Sequence, residues 1–221
     1  MVYPCGTEIG LEIYRSLNKS IHFEIIGGPS TYDHGRFVYK NHIDNLPFIS
    51  DLSAEQDILE FNKIIEHYKI DFIYPAMDGV LTIFARYRHL LKPIVIAPSA
   101  ITAEITCSKR KTYDPLRGLI PVPEIFDTDD CNNKFPVFVK PDRGQGAVGA
   151  MKIESLDELS RIKAENTVIL EYLPGKEYTV DCFTNELGQL IYARARGRKR
   201  IKSGISVNAV FEDDSVFKQY A

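Results

Sequence analysis

The apolar positions of this 221-residue chain change their period near residue 98. Before that point, short apolar runs alternate with segments of helical spacing. Residues 1–10 read as the tail of a strand entering a turn, after which Ile9, Ile13, Tyr14 and Leu17 recur as on one helix face. His22-Phe23-Glu24-Ile25-Ile26 reads as a strand ended by Gly27-Gly28-Pro29, followed by a polar loop with Asp33, His34 and Arg36. Residues 53–68 read as a helix with Ser53 as N-cap and Gln56 three residues on. Strands at Ile70 to Tyr74 and Ile94 to Ile96 flank a helix over 78–91, and Pro98 stops the second of them. This alternation predicts a small, mostly parallel α/β sheet over residues 1–97.

Beyond residue 98 strands and hairpins dominate. Ser99 to Thr106 reads as a short helix, and a second begins at Ser108. Pro121-Val122-Pro123 leads to a strand ending near Phe126, and Asp127-Thr128-Asp129-Asp130 reads as a solvated acidic loop. Ser155 and Glu158 form a capping box that opens a helix over 155–164. Val168 to Leu170, Tyr178 to Phe183 and Gln189 to Ala193 read as strands, the last two joined through an Asn185–Gly188 turn. Residues 98–221 therefore read as a second domain of α+β character.

Composition narrows the class without naming a chemistry. The hydrophobic fraction of 44% and charged fraction of 26% are those of a soluble globular protein. A formal net charge of -3 gives no electrostatic case for nucleic acid or an anionic membrane. No apolar run approaches the roughly 20 residues of a membrane-crossing helix, and the N-terminus lacks the pattern of a signal peptide. Cys5, Cys107, Cys131 and Cys182 are scattered with no CxxC pair, which fits reduced thiols in the cytoplasm.

The stretch with the clearest chemistry runs from Phe135 to Met151. Val137-Phe138-Val139 reads as a buried strand closed by Lys140, and Pro141 opposes its simple continuation. Gly144, Gly146 and Gly149 follow in a polar loop, then a second apolar run. A lysine at a strand exit beside a glycine-rich loop suits phosphate, because backbone amides approach an anion closely where no Cβ intervenes. The alternative is a hairpin with a glycine turn and a surface lysine.

Three other features carry paired readings. Gly6 and Gly10 stand at a strand-to-helix turn, where they serve either a dinucleotide or the turn and close helix packing; the three-glycine fingerprint is absent, which favours packing. Asp78 follows a strand on the substrate side of such a sheet, but an acid there also suits the helix N-terminus, the reading preferred here. Read as one unbroken strand, Tyr192 to Ile201 places Arg194, Arg196, Arg198 and Arg200 on one face, with Gly197 the position that breaks the alternation if any does. Four like charges there call for anions or carboxylates.

The ordered set of Ser108-Lys109, Pro121-Val122-Pro123, Phe135 to Pro141 with its glycine loop, and Ile169-Leu170-Glu171-Tyr172-Leu173-Pro174-Gly175-Lys176-Glu177 through Asp181 resembles the ATP-grasp superfamily. Within it the chain looks most like the group related to the large subunit of carbamoyl-phosphate synthase. The resemblance covers nearly the whole chain. It implies a Rossmann-like pre-ATP-grasp domain over 1–97, then an ATP-grasp fold over 98–221 with ATP between two antiparallel sheets. By that resemblance Lys109 and Lys140 match the basic positions that hold the α- and β-phosphates. Gly144, Gly146 and Gly149 match the flap over the phosphates. Glu171 and Leu173 match the adenine hinge, and Glu177 matches the carboxylate on the ribose. Arg198 or Arg200 then faces the triphosphate or an acyl-phosphate, against the alternative of a solvated or bent strand paired to acidic neighbours.

The resemblance implies ATP and magnesium as cofactors, and a carboxylate–amine or carboxylate–thiol ligase working through an acyl-phosphate. The family's acidic residue and Glu-x-Asn metal motif are not found before residue 221, and Glu212, Asp213 and Asp214 read as a turn. The ligase is therefore expected to be the N-terminal part of a longer fold, or to receive its missing part from a second chain. The alternative is a non-catalytic nucleotide-binding or assembly subunit. The expected partners are ATP and a small carboxylate, with no nucleic acid and no membrane.

Overall fold

The computed structural model describes the chain except residues 31–33, 45, 49–51, 145–146, 163–164, 186, 203–204, 214, 216, 218–219 and 221. It divides into two compact units, Met1–Cys107 and Ser108–Ala221. The first unit runs β1 (Val2–Tyr3), α1 (Glu8–Leu17), β2 (Ile26–Gly27), α2 (Gly35–Val38), β3 (Asn41–His42), α3 (Glu55–His67), β4 (Phe72–Pro75), α4 (Asp78–Arg86), β5 (Ile94–Val95) and α5 (Ala100–Thr106). Its five strands lie in the order β3-β2-β1-β4-β5, and every pair is parallel. This is the α/β arrangement that the alternating pattern predicts.

The core of this unit is aromatic. The buried rings of Tyr3, Phe61 and Phe84 come from β1, α3 and α4, with centroids 5.1 to 5.9 Å apart. Tyr3 keeps its hydroxyl satisfied by donating to the Pro47 carbonyl at 2.6 Å. Gly10 lets α1 sit directly on the preceding turn, since a Cβ there would stand 2.6 Å from the Cys5 carbonyl oxygen. Thr7 caps α1, its Oγ1 accepting from the Gly10 amide at 2.9 Å.

Several expected boundaries move. The strand expected over His22 to Ile26 forms only at Ile26–Gly27, and Phe23 before it is exposed. Asn41–His42 is a strand within what reads as a polar loop, because the sheet edge is joined by backbone pairing and by the Asn41 amide donating to the Glu24 carboxylate at 2.8 Å, neither of which needs an apolar pattern. Helix α3 starts at Glu55, not at Ser53; the Asp57 carboxylate caps it by accepting from the amides of Ser53 and Ala54 at 3.0 and 2.7 Å. The helix expected over 78–91 ends at Arg86 and resumes as a 3-10 turn over Arg88–Leu90. Asp33 lies outside the described residues.

The second unit runs α6 (Lys109–Leu116), β6 (Ile125–Phe126), a 3-10 helix at Thr128–Asn133, β7 (Val137–Pro141), β8 (Met151–Ile153), α7 (Leu156–Ser160), β9 (Thr167–Glu171), β10 (Tyr178–Thr184), β11 (Leu190–Lys202) and β12 (Ile205–Phe211). It holds two antiparallel sheets, β6-β9-β7-β8 and β10-β11-β12. Phe126, Cys131, Val137, Val139, Ile153, Leu159 and Ile169 form its core. Residues 127–130 of the acidic loop are exposed, as expected, and lead into the turn of 3-10 helix that buries Cys131; burial, then Asp130 and Asp127, pushes that thiol up. Helix α7 is shorter than expected; Ser155 caps it, its Oγ accepting from the Glu158 amide at 3.3 Å, while the Glu158 carboxylate accepts from the Glu154 amide at 2.9 Å instead of the Ser155 amide.

Strand β7 also continues past its expected end, with Pro141 opposite Thr167. The Asp142 amide points to the β9 side, where it meets the Asn166 carbonyl. By alternation the missing N–H of Pro141 falls on the other side, where pairing with β8 has stopped at Met151. Among the described residues no helix is long and apolar enough to cross a membrane.

Truncation of a fully buried ring tests the aromatic core: Phe84→Ala is expected to cost about 3 to 5 kcal/mol, measured by urea unfolding.

Candidate nucleotide site

The two faces of the β6-β9-β7-β8 sheet have different work. Val137, Val139, Ile153 and Ile169 point into the core. Phe138 and Lys140 alternate to the opposite face, in register with Leu170 and Val168 of β9. On that face the Lys140 ammonium donates to the Tyr113 hydroxyl at 2.9 Å and lies 5.5 Å from the ring centroid. Tyr113 belongs to α6 and stands one helical turn after Lys109.

Lys109 reaches the root of the glycine loop. Its ammonium donates to the carbonyls of Asp142 and Gly144 at 3.0 and 3.3 Å, and its amide donates to Asp142 at 3.1 Å. Ser108 caps α6, with Oγ accepting from the Lys111 amide at 3.1 Å. The same hydroxyl donates to the Asp142 carboxylate, which also accepts from the Arg110 amide at 2.9 Å. Burial pushes the Asp142 carboxyl up, but the Arg110 amide, the Ser108 hydroxyl and the charges of Lys109 and Arg143 outweigh it. The group is left below the ordinary carboxylate value.

The loop itself turns through left-handed backbone. Gly144 has φ +135° and Gly149 φ +74°, and the Pro141 ring stands 3.2 Å from where a Gly149 Cβ would be. Ala147 shares the left-handed region at φ 56°. Gly146 lies outside the described residues. Lys109, Lys140 and Gly144 are thus gathered by α6 and the end of β7.

The remaining candidates form separate groups. Glu171 ends β9 with its amide on the Glu124 carbonyl at 2.9 Å and its carboxylate on the Glu124 amide at 3.3 Å. Its N–H is therefore committed to the Glu124 carbonyl, immediately before β6. Leu173, two residues on, is 60% exposed. The Glu177 carboxylate pairs with the Arg198 guanidinium. Beside them, Arg196 pairs with Asp181 at 2.6 Å, and Arg194 lies 4.7 Å from the centroid of Phe211.

Arg200 departs from this face. Alternation passes through Gly197, over which the Glu212 carboxylate lies. The register then slips, since Arg198 stands opposite Ala209 but Arg200 stands opposite Asn208. This bulge carries an extra residue, Lys199, and moves Arg200 off the face of Arg194, Arg196 and Arg198. Of the acidic run after β12, Asp213 accepts from the Ser215 amide at 3.0 Å, and Asp214 lies outside the described residues. Among the described residues no three His, Cys, Asp or Glu side chains are grouped to hold a metal ion.

Tyr113 and Asp142 are the site residues that sequence reasoning passes over. Tyr113 carried a usable signal in its i+4 spacing from Lys109. Asp142 had none, because the partners of its carboxylate lie 32 to 34 residues away.

Residues 106–211 match the family model of the ATP-grasp domain. Solved structures similar to the chain include N5-carboxyaminoimidazole ribonucleotide synthetase from Thermotoga maritima, at 19% identity and TM-score 0.61 over 89% of this chain and 54% of that one. Carboxyaminoimidazole ribonucleotide synthase from Aspergillus clavatus, solved with ATP, aligns at 12% identity and TM-score 0.68 over 90% of this chain and 53% of that one. An L-amino acid ligase from Bacillus licheniformis aligns at 14% identity and TM-score 0.62 over 98% of this chain and 55% of that one. The chain spans about half the length of each. No curated protein matches it in sequence.

The lowered Asp142 carboxyl has a consequence for acid stability. Unfolded, an aspartate takes up its proton near pH 3.9; folded, Asp142 does so at lower pH. The unfolded chain therefore binds more protons in that window. The stabilisation is present above about pH 4 and lost as pH falls through the folded value. Asp142→Asn is expected to lower stability at neutral pH and to flatten the acid limb, as urea melts from about pH 3 to 7 will show.

Proposed function

We propose that the chain is of the ATP-grasp family, whose domain model residues 106–211 match, and that it binds ATP as part of an ATP-dependent carboxylate–amine or carboxylate–thiol ligase. The observation that carries this reading is the gathering of Lys109, Lys140 and the glycine loop around α6 and the end of β7. The solved structures support it, since one is a ligase of amino acids and another was solved with ATP.

ATP supplies a γ-phosphoryl group that a substrate carboxylate oxygen accepts, with ADP leaving; an amine or thiol then adds to the acyl carbon and phosphate leaves. Lys109 and Lys140 would hold the phosphates, each ammonium exchanging a neutral oxygen partner for an anionic one. Gly144, Gly146 and Gly149 would let the loop fold over them and exclude water. Leu173 would pack on the adenine, Glu177 would take the ribose hydroxyls, and Arg198, on the same sheet face as Arg194 and Arg196, would face the transferring phosphoryl. Arg200 has no place in this set. No step is assigned to magnesium.

Isothermal titration with Mg-ATP tests the reading. Wild-type protein is expected to bind, and Lys140→Met to bind about tenfold or more weakly with an unchanged melting temperature. A wild-type protein that takes up no Mg-ATP refutes it.

A further inference from the structure

Asp142 ties three segments of the site together. Its amide donates to the Asn166 carbonyl at 2.6 Å, fixing the end of β7 to the approach of β9. Its carbonyl accepts both the amide and the ammonium of Lys109, at 3.1 and 3.0 Å. Its carboxylate accepts from the Ser108 hydroxyl at 2.8 and 3.0 Å and from the Arg110 amide at 2.9 Å. Ser108 is only 1% exposed, so little water can replace the carboxylate as its partner. The first-turn amides of α6, which no helix satisfies internally, are thus shared between Ser108 and Asp142.

We propose that Asp142 is a positioning residue, whose carboxylate locks the start of α6 onto the root of the glycine loop and so presets the Lys109 ammonium for phosphate. The inference rests on the nucleotide reading and adds a determinant of affinity that does not itself touch the ligand. A lysine stem has four rotatable carbons, and a preset ammonium loses less freedom on binding than a free one. The sign of the effect separates this role from plain electrostatics. A carboxylate beside a triphosphate repels it, so removing the charge alone would tighten binding. Removing a lock weakens it.

The test measures Mg-ATP affinity by calorimetry for wild type, Asp142→Asn, Lys109→Met, their double variant and Ser108→Ala, with hydrogen exchange at the Arg110 amide in the absence of nucleotide. Asp142→Asn is expected to bind about tenfold more weakly, and the double variant no more weakly than Lys109→Met alone. Exchange at Arg110 is expected to accelerate in Asp142→Asn. Equal or tighter binding by Asp142→Asn overturns the proposal, as do losses that multiply in the double variant. Should Asp142→Asn fail to fold, Ser108→Ala decides: about threefold weaker binding supports the lock, and unchanged binding removes it. Absence of binding by wild type refutes the nucleotide reading itself. Unchanged exchange at Arg110 refutes the lock whatever the nucleotide does.

Discussion

The candidate site of the second unit depends on oxygen partners that hold two ammonium groups in place. Lys109 and the hydroxyl that receives Lys140 are one turn apart on α6, and Lys140 is two residues from the carbonyl that receives Lys109. Ammonium groups so placed repel each other unless oxygens hold each one. The structure supplies carbonyls and a phenol, with the Asp142 carboxylate set behind them at the helix start. The charge is therefore in place before any ligand, and its cost is offset by helix capping that the fold needs anyway.

The direction of Lys140 is fixed by packing on the other side of its strand. Val137 and Val139 are 0% and 1% exposed, and burying them leaves Phe138 and Lys140 no other face. A slip of one residue would drive the ammonium into the apolar core and expose both valines. Hydrophobic burial and site geometry are one constraint here, which is why so short a strand aims a lysine so well.

Much of this was readable from residue order. Ser99 and Ser108 cap the helices that follow them, as their types suggest, and the apolar run at Val137 marks a strand. What failed to show was whatever depended on distant partners. Asn41–His42 has no apolar signal because it is held by backbone pairing at an edge. The commitment of the Glu171 amide required knowing that Glu124 lies across from it. The arginine run looked uniform because alternation is a local rule, while a bulge is set by how the neighbouring strand ends its pairing.

That bulge also bears on how this strand is matched to its relatives. Counted forward from Gly197 opposite Val210 or back from Lys202 opposite Ile205, β11 keeps one register against β12; the extra residues at Lys199 and Val207 cancel, and only the Arg200–Asn208 pair between them is displaced. Equivalence at Arg200 therefore has to be read from its own partner, Asn208, and not from either end of the strand. An alignment carried straight through would credit Arg200 with a neighbour's role on the strength of its identity alone.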